Sequence, residues 1–312
     1  MDGPVTILMG VFQGADHLQE QLDSFAAQDH ADWRLVASDD GSRDAGPGLI
    51  RAFAATRPEG MVRLVQGPAQ GFAANYLSMI RALPKAPGWV AFSDQDDVWL
   101  PDRLSRGLAA LAALDGPALY CSRSYITSNR LQDRRPSAPR PRPPSFCNAL
   151  VQNIAAGNTM LLNPAAAALI RNAADDVAAV VAHDWWVYML VTGAGGRVVH
   201  DDRPTVLYRQ HAANAIGAND GAMAKFRRLW QVMMGTFRDW NDVNAAALAA
   251  SAHQLSPEAR ALFQDWQAMR QTRGLASGGM LHRLLRLRRL RLYRQTATST
   301  MALWLSAAIG RL

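Results

Sequence analysis

The sequence predicts an α/β fold in which a mostly parallel sheet carries helices on both faces. Through roughly the first 125 residues, short apolar segments rich in β-branched residues alternate with segments whose apolar residues recur at helical spacing. The chain of 312 residues is 49% hydrophobic and 19% charged, enough apolar material for a sizeable core. In sheets of this kind, ligands bind at the carboxyl ends of the strands.

Five strands and four helices account for this first part. The predicted strands are, in order, VTILMGVF, WRLVAS, MVRLVQG, GWVAF and PALYCS. The helices that follow the first four strands are HLQEQLDSFAAQ, GLIRAFAATR, FAANYLSMIRAL and PDRLSRGLAALAAL. The last helix opens with a proline, which suits a first helical turn because the missing N–H would have no partner there.

The second part begins with RRPSAPRPRPPS (134–145), which is too proline-rich for regular structure and predicts an exposed loop. A strand (GNTMLLN), two helices (PAAAALIRNA and HDWWVYMLVTGAG) and two strands (RVVH and TVLYRQH) are expected next. From roughly residue 220 the pattern is helical. We therefore expect a catalytic domain over 1–219 and a helical C-terminal region over 220–312. Association with a membrane is one expected role of the C-terminal region.

The charge of the chain is concentrated near its end. The net charge is +7, and much of the excess lies in LHRLLRLRRLRLYR (281–294). A basic appendage explains this better than a nucleic-acid-binding domain, so we expect no nucleic acid partner. The segment predicts either a helix packed on the catalytic domain with a solvated basic face, or an amphipathic helix on an anionic membrane surface. In a helix, Leu281, Leu284, Leu285 and Leu292 would share one broad face.

The two cysteines and the N-terminus indicate a compartment. Cys121 and Cys147 provide neither a disulfide framework nor a metal cluster, which suits a reducing cytoplasm. The N-terminus lacks the features of a signal peptide, and no apolar run reaches the ~18–20 residues of a membrane-spanning helix. We expect a cytoplasmic protein that is soluble or peripheral on the inner face of the cell membrane.

Three carboxylates in four residues, in SDQDDVW (93–99), follow the predicted fourth strand. A solvated acidic turn that caps the next helix would explain one or two of them. A divalent cation, Mg²⁺ or Mn²⁺, bound with a substrate diphosphate explains why Asp94 and Asp96 flank Gln95 directly after a buried strand. Asp97 is then expected to cap the next helix, and Trp99 to pack in the core.

Two further segments offer carboxylates at strand or helix ends. Asp39 and Asp40, in ASDDGSRD, either form a capped turn or accept hydrogen bonds from a ligand, such as a pyrimidine N–H. Asp184, in HDWW, either caps a helix whose tryptophans point inward or acts as a general base. In the second interpretation Trp185 and Trp186 form a wall on which a sugar stacks.

The segment YRQHAAN contains a weaker signal. His211 is either an ordinary polar residue at a strand end or a ligand that joins the metal. Arg209, two residues earlier, could reach a phosphate.

These four segments, together with the opening ILMGVFQGADHLQEQLDSFAAQ, resemble glycosyltransferase family 2, the inverting enzymes of the GT-A fold. They are most similar to the rhamnosyltransferase-like branch of bacterial surface-polysaccharide assembly. The resemblance covers about residues 4–215. Two positions depart from the family pattern, since GVFQG replaces a TYNG-like turn and HDWW replaces the commoner ED pair, which leaves His183 unexplained.

The resemblance implies a role for each matching position. The nucleotide and donor sugar would contact Val11, Phe12, Asp39, Asp40, Asn75, Asp94, Gln95 and Arg209. Asp96 and His211 would hold the metal, and Asp184 would be the catalytic base. Gly157 and Asn158 would lie beneath the acceptor, beside Trp185 and Trp186.

The expected function is therefore metal-dependent, inverting transfer of a sugar, rhamnose being one candidate, from a dTDP- or UDP-linked donor to a saccharide or lipid-linked saccharide. Two alternatives remain. A sugar nucleotidyltransferase would need a glycine-rich phosphate loop with lysine or arginine after the first strand, and GVFQGADH has neither of these two residues. A non-catalytic sugar-nucleotide-binding relative is disfavoured by the intact carboxylates. A dinucleotide-dependent oxidoreductase would need G-x-G-x-x-G there, which is absent.

Overall fold

The computed structural model describes residues 3–210, 236–272 and 277–312. Its strands are β1 (Val5–Val11), β2 (Trp33–Asp39), β3 (Val62–Gln66), β4 (Trp89–Ser93), β5 (Val98–Trp99), β6 (Ala118–Thr127), β7 (Arg135–Pro136), β8 (Leu161–Leu162) and β9 (Arg197–Arg209). The helices of the α/β part are α1 (Ala15–Ala26), α2 (Gly46–Ala55), α3 (Phe72–Arg81), α4 (Arg103–Leu111), α5 (Phe146–Ala149), α6 (Pro164–Ala174) and α7 (His183–Gly193). The described ranges 236–272 and 277–312 contain four more helices, namely α8 (Thr236–Ala250), α9 (Pro257–Gln271), α10 (Ser277–Arg289) and α11 (Ala297–Ala308).

The strands form one sheet in the order β3-β2-β1-β4-β8-β6-β9-β5, with β7 paired to β6. Strands β1 to β4 are parallel to their neighbours, as is the β6–β9 pair, whereas β8 is antiparallel to both β4 and β6. The predicted mostly parallel α/β sheet is therefore confirmed. In register, Val11 lies opposite Asp39, so the residues that follow β1, β2 and β4 meet at one edge of the sheet.

The sheet separates two apolar cores because side chains alternate along each strand. On β1, Ile7 and Met9 belong to the core that lies under α1, α2 and α4. Leu8 faces the other core, which includes α3, α6 and α7. The C-terminal helices share this second core, to which Leu248, Trp266, Leu287 and Leu303 contribute. The helical region and the α/β part are thus continuous through one core.

Several element boundaries differ from the sequence prediction. The predicted strands RVVH and TVLYRQH are one long strand, β9, which pairs with β6 along its length around a bulge. The predicted strand GNTMLLN is a 3₁₀ helix at Gly157–Thr159 followed by the two-residue β8. The proline-rich segment is irregular except for β7, which adds to the edge of β6. These short pairings depend on distant partners, so local sequence patterns do not reveal them.

The C-terminal apolar face is also arranged differently from the expectation. Leu292 is buried and Leu284 half-buried, whereas Leu281 and Leu285 are 57% and 58% exposed. Helix α10 ends at Arg289 and the chain then turns, so Leu292 does not continue the face of that helix. Leu287 and Leu290 anchor the segment to the core instead. Among the described helices, none is long and apolar enough to cross a membrane.

Candidate active site

A cavity of about 830 Å³ opens at the carboxyl ends of β1 and β4. Its wall combines residues from the β1–α1 loop, α3, the β4–β5 connection, the segment before α7 and the C-terminal region. Among the residues singled out from the sequence, the wall contains Val11, Phe12, Asp40, Asn75, Asp94, Gln95, Asp96, Gly157, Asn158, Asp184 and Trp185. The fold thus brings most of the predicted site to one cavity.

Asp40 and Asn75 are fixed in the wall by hydrogen bonds with backbone atoms. The two carboxylate oxygens of Asp40 accept hydrogen bonds from the backbone N–H groups of Ala69 and Gly71, each 2.7 Å away. The Asn75 amide donates to Ser38 O and accepts from the Ser38 hydroxyl, at 2.9 and 2.6 Å. These bonds join the ends of β2 and β3 to the start of α3, so the pocket edge is preformed.

Gln95 holds the loop that follows β1. Its side-chain amide accepts a hydrogen bond from Phe12 N and donates one to Phe12 O, both at 2.8 Å. A Cβ at position 14 would lie 2.2 Å from Gln95 Oε1, so Gly14 is required for this pairing. Phe12 itself is 55% exposed, and its ring is therefore open to a ligand at the cavity mouth.

Three carboxylates, those of Asp94, Asp96 and Asp184, line the same cavity. Burial, together with the charges of Asp96 and Asp184, raises the pKa of Asp94 to about 7. Burial also raises the pKa of Asp184. The neighbouring carboxylates that raise the pKa of Asp94 form a site where a bound cation would relieve the repulsion. The predicted acidic centre therefore exists as a spatial group.

Asp184 lies in the first turn of α7 and accepts two hydrogen bonds from backbone N–H groups. They come from Trp185 at 2.7 Å and from Gly157 at 3.1 Å. Both lower the pKa of Asp184 against the effect of burial. A Cβ at position 157 would lie 2.7 Å from His183 Nε2 and 3.3 Å from Asp184 Cβ. Gly157 therefore permits a backbone approach that fixes the carboxylate.

Tyr76 and His183 form a layer of side chains next to Asp94. The sequence pattern did not indicate Tyr76 and indicated no role for His183. The Tyr76 hydroxyl lies 2.5 Å from Ser93 O and 3.2 Å from Asp94 Oδ1. The His183 ring is 5% exposed and stacks on the Tyr76 ring. Burial lowers the pKa of His183 to about 3, so the ring is neutral. The stacked Tyr76 and His183 rings thus pack beside Asp94, which the Tyr76 hydroxyl contacts. The sequence offers no sign of this contact, because an aromatic residue at helical spacing usually indicates only core packing.

Comparison with known proteins decides the family. The profile described as Glycosyl transferase family 2 matches residues 6–178. The chain belongs to this family.

Two relatives illustrate the range of similarity. The glycosyltransferase is 25% identical over 251 residues to the dTDP-rhamnosyl transferase RfbG of Shigella flexneri, covering 77% of this chain and 84% of the relative. It is 34% identical over 108 residues to the succinoglycan biosynthesis protein ExoO of Rhizobium meliloti, covering 33% of this chain and 28% of the relative. The resemblance inferred from the motifs is therefore confirmed.

The fold is shared with a solved structure. The S. aureus protein TarS 1-349 in complex with UDP superposes with a TM-score of 0.58 at 12% identity, covering 99% of this chain and 88% of that chain. At this identity the likeness concerns the fold alone. It confirms the predicted GT-A type of α/β architecture with a helical C-terminal part.

The structure shows the surroundings of three residues of the glycosyltransferase whose roles stay predictions: Asp39, Trp185 and Trp186. Asp39 lies outside the cavity wall, and its Oδ1 accepts a hydrogen bond from Ser42 N at 3.0 Å, which closes the turn after β2. Trp186 is fully buried and lies outside the wall, because its side of α7 packs in the core. Trp185 does line the cavity, but its Nε1 donates to Ala149 O at 2.7 Å and only 6% of it is exposed.

The Arg209 side chain lies outside the cavity wall. Its guanidinium binds the Glu20 carboxylate, Asp96 O and Asn129 O, and its side chain is buried outside the cavity wall. Arg209 therefore joins α1 and the acidic segment to β9. The contact of Arg209 with a donor phosphate stays a prediction.

Asp97 is buried and does not cap helix α4; its carboxylate instead accepts hydrogen bonds from two distant segments. The Asn158 amide donates to its Oδ2 at 2.5 Å, and Arg209 N donates to its Oδ1 at 3.3 Å. Helix α4 begins after Asp102, five residues later. The same hydrogen bond occupies the Asn158 side chain, although Asn158 lines the cavity. Trp99 packs in the core as expected, beneath the Arg103 guanidinium at 3.4 Å.

Metal ligation was predicted for Asp96 and His211. Asp96 lines the cavity, whereas His211 lies outside the described residues. Within 3–210, 236–272 and 277–312, no three His, Cys, Asp or Glu side chains are grouped to hold a metal ion. Two carboxylates nevertheless fit Mg²⁺ or Mn²⁺, which commonly combine one or two protein carboxylates with substrate phosphates.

The C-terminal region contributes part of the wall, which the sequence analysis did not anticipate. Phe237, Trp240 and Arg294 line the cavity beside Trp185. Trp240 is 38% exposed and stands at 90° to Trp185, with ring centroids 6.4 Å apart. Within the described residues that line the cavity, Trp240 is thus more exposed than Trp185, whereas Trp186 is fully buried.

Proposed function

We propose that this chain transfers a sugar from a nucleoside diphosphate donor to a hydroxyl of a saccharide acceptor, with inversion at the anomeric carbon. The observation that carries the proposal is the meeting of Asp94, Asp96 and Asp184 in the wall of one large cavity at the strand ends. Membership of glycosyltransferase family 2 supports sugar transfer as the reaction class.

Asp94 and Asp96 would hold a divalent cation, Mg²⁺ or Mn²⁺. Their fit is argued from charge: burial, and after it the charges of Asp96 and Asp184, raise the pKa of Asp94 to about 7, and a cation would offset both effects. When bound, the cation would neutralise charge on the departing diphosphate. Tyr76 then has a supporting task, since its hydroxyl favours the ionised form of Asp94.

Asp184 would act as the general base. Backbone N–H groups of Gly157 and Trp185 fix its two oxygens, so the carboxylate is oriented before the acceptor binds. The acceptor oxygen would form a bond to the anomeric carbon as the bond to the diphosphate breaks on the opposite face. The hydroxyl proton passes to Asp184. One such displacement inverts the configuration.

For the nucleotide, the preformed edge at Phe12, Asp40 and Asn75 would receive the base and ribose. A dTDP- or UDP-linked sugar is the proposed donor, with rhamnose as the favoured sugar. Support for rhamnose comes from a relative named dTDP-rhamnosyl transferase, which aligns over 77% of this chain. The relative named for succinoglycan biosynthesis supports surface-polysaccharide synthesis as the process.

A donor panel tests the proposal directly. Thermal unfolding would be followed with Mn²⁺ and UDP-, dTDP- or GDP-sugars, and the stabilising donor would then be supplied in labelled form. We expect stabilisation by a dTDP- or UDP-sugar and release of the sugar to acceptor or water. Binding without any turnover would favour a non-catalytic sugar-nucleotide-binding protein, and release of pyrophosphate from a nucleoside triphosphate would favour a nucleotidyltransferase.

We also propose that residues 1–219 form the catalytic domain, and that 220–312 contribute a face that contacts an anionic membrane on the cytoplasmic side. Helices α10 and α11 leave large apolar side chains exposed, namely Met280, Leu281, Leu285, Met301, Leu305 and Ile309. After Asp265 the sequence contains nine arginines and neither aspartate nor glutamate. Exposed apolar stripes flanked by arginine fit an anionic lipid surface, where a lipid-linked acceptor would lie.

A further inference from the structure

One part of the cavity wall carries an arginine, an imidazole and three serine side chains. We call it the basic wall; it comprises Ser122, Ser124, Ser137, Arg140 and His200. These residues come from β6, the proline-rich loop and β9, whereas the acidic residues come from the β4–β5 connection and α7. The cavity therefore has an acidic side and a basic side, carried by different elements.

The basic wall is locally ordered. Ser137 N donates to Ser124 O at 2.8 Å, and Ser124 N donates to Ser137 Oγ at 3.2 Å. The Arg123 guanidinium donates to Ser137 O as well, with Nε at 2.8 Å. The start of the proline-rich loop is thus fastened to β6, so the wall is built rather than formed by a loose segment.

Arg140 is held between two anchored points of the same loop. Beyond it, Arg142 N donates to Gln295 Oε1 at 3.0 Å, and Gln295 Nε2 donates to Arg142 O at 3.1 Å. Pro139 and Pro141 flank Arg140 and restrict its backbone. Little backbone entropy therefore remains to be lost when Arg140 binds a ligand.

The Arg140 guanidinium makes neither a hydrogen bond nor an ion pair with any residue in the described part of the chain. The residue is half-buried, and burial, with a smaller contribution from Arg123, lowers its pKa. Other arginines of the fold have carboxylate partners, such as Arg106 with Asp201 and Arg270 with Asp242. A half-buried guanidinium without an acceptor leaves five donors for a ligand in the cavity.

We propose that Arg140 and the hydroxyls of Ser124 and Ser137 bind an oxyanion of the acceptor, a phosphate or carboxylate carried by the acceptor saccharide or its lipid linkage. The inference rests on the proposed function, because it takes the acidic side as the donor site. Arg294, which also lines the cavity and uses only Nε to bind Val151 O, adds a second cation. Arginine suits this task because its planar fork matches phosphate and carboxylate oxygens.

The test compares three probes with a common decyl chain: decyl diphosphate, decyl glucuronide and the neutral decyl glucoside. Each is titrated calorimetrically into the full chain in the presence of Mn²⁺ and saturating UDP or dTDP. We expect at least one anionic probe to bind about tenfold or more tightly than the glucoside, a difference of about 1.4 kcal/mol. The two anionic arms distinguish a phosphate from a carboxylate as the recognised group.

Two substitutions assign the preference to Arg140. Arg140→Gln should reduce the preference for the anionic probe about tenfold, and Arg140→Lys should retain part of it. Arg134→Gln removes an exposed arginine of the same loop that lies outside the cavity wall, and should leave the preference unchanged.

Two results would overturn the inference. One is equal binding of all three probes; the other is a loss of UDP or dTDP affinity in Arg140→Gln, which would make Arg140 a donor ligand. The nucleotide titration is a separate readout: failure of UDP and dTDP to bind the unaltered chain would contradict the proposed function instead.

Discussion

The imidazole of His183 lies nearly parallel to the phenol ring of Tyr76, with ring centroids 3.7 Å apart and 20° between the planes. This stack connects the start of α7, which carries Asp184, to α3, whose Tyr76 hydroxyl contacts Asp94. Two acidic residues far apart in sequence are thus positioned by one aromatic pair. The departure of HDWW from the commoner family pattern has a structural reason, since His183 supplies the stacked ring.

Tyr76→Phe should weaken binding of the cation–nucleotide pair without unfolding the protein. The hydroxyl lowers the pKa of Asp94, so its removal should raise that pKa further and shift the acidic limb of binding to higher pH. Loss of the hydrogen bond to Ser93 O should cost about 1 kcal/mol of stability. Calorimetric titration with Mn²⁺ and UDP from pH 5 to 9 measures the shift. Tyr125→Phe, outside the cavity wall, is the control; an unshifted pH profile for Tyr76→Phe would contradict the supporting role.

Asp94→Asn should stabilise the metal-free protein at pH 8 while abolishing transfer. The folded-state pKa of about 7 exceeds the ordinary value of 3.8, so the folded state binds the proton more tightly than the unfolded chain. Stability from this group is therefore present at low pH and lost as pH rises through about 7. Asparagine resembles the neutral carboxyl, and we expect a gain of about 0.5–2 kcal/mol at pH 8.

Urea unfolding in EDTA at pH 4 and pH 8 checks this prediction, because the advantage of Asp94→Asn should shrink at the lower pH. Asp202→Asn, at an exposed carboxylate, provides the control. A variant less stable than the unaltered protein at pH 8 would show that the carboxylate repulsion is not costly.

Asp184→Asn should bind the donor normally but transfer sugar at least about a hundredfold more slowly, because general-base assistance contributes about 10²–10⁴-fold. The backbone donors at Gly157 and Trp185 can still contact the amide oxygen, so the fold should persist. Single-turnover transfer and separate nucleotide titration distinguish chemistry from binding. Near-normal turnover would remove Asp184 from the role of base.

Gly157→Ala should lower transfer by about tenfold or more, since the added Cβ would lie 2.7 Å from His183 Nε2 and would displace the ring or Asp184. Gly48→Ala is the matched control, because a Cβ there meets no atom within 4 Å on helix α2. That control should gain about 0.5–1 kcal/mol of stability. Full activity in Gly157→Ala would mean that the close approach is incidental.

Replacing Leu281 and Leu285 together by glutamine should release the protein from anionic vesicles. Both side chains are more than half exposed, so the fold should tolerate the change, whereas burial of each in lipid would contribute about 1.5–3 kcal/mol. Flotation with phosphatidylglycerol vesicles should show at least about a tenfold loss of binding. Val243→Gln alters an exposed apolar residue on α8 as the control. Equal flotation of the double variant and the unaltered protein would exclude this face.

The positions of the site residues along the strands could be predicted because parallel strands impose them. Asp40, Asp94 and Asp96 each follow an apolar strand, and parallel strands end at the same edge of a sheet. The same reasoning identified Asp184 at the start of a helix. These predictions needed only local periodicity and the rule that carboxyl ends meet.

The directions in which the side chains point required the tertiary structure. Arg209 binds Glu20 and the backbone of the acidic segment because β9 runs as one strand beside β6, and Trp186 faces the core because of how α7 packs. Asp97 accepts a hydrogen bond from the Asn158 amide, which lies 61 residues away in the sequence. Likewise, only folding brings Trp240, Arg294 and Arg140 to the cavity. The sequence alone therefore determined the family, the fold class and the acidic residues, because these follow from local patterns. Tertiary packing decided which polar groups line the cavity, because that depends on contacts between distant segments.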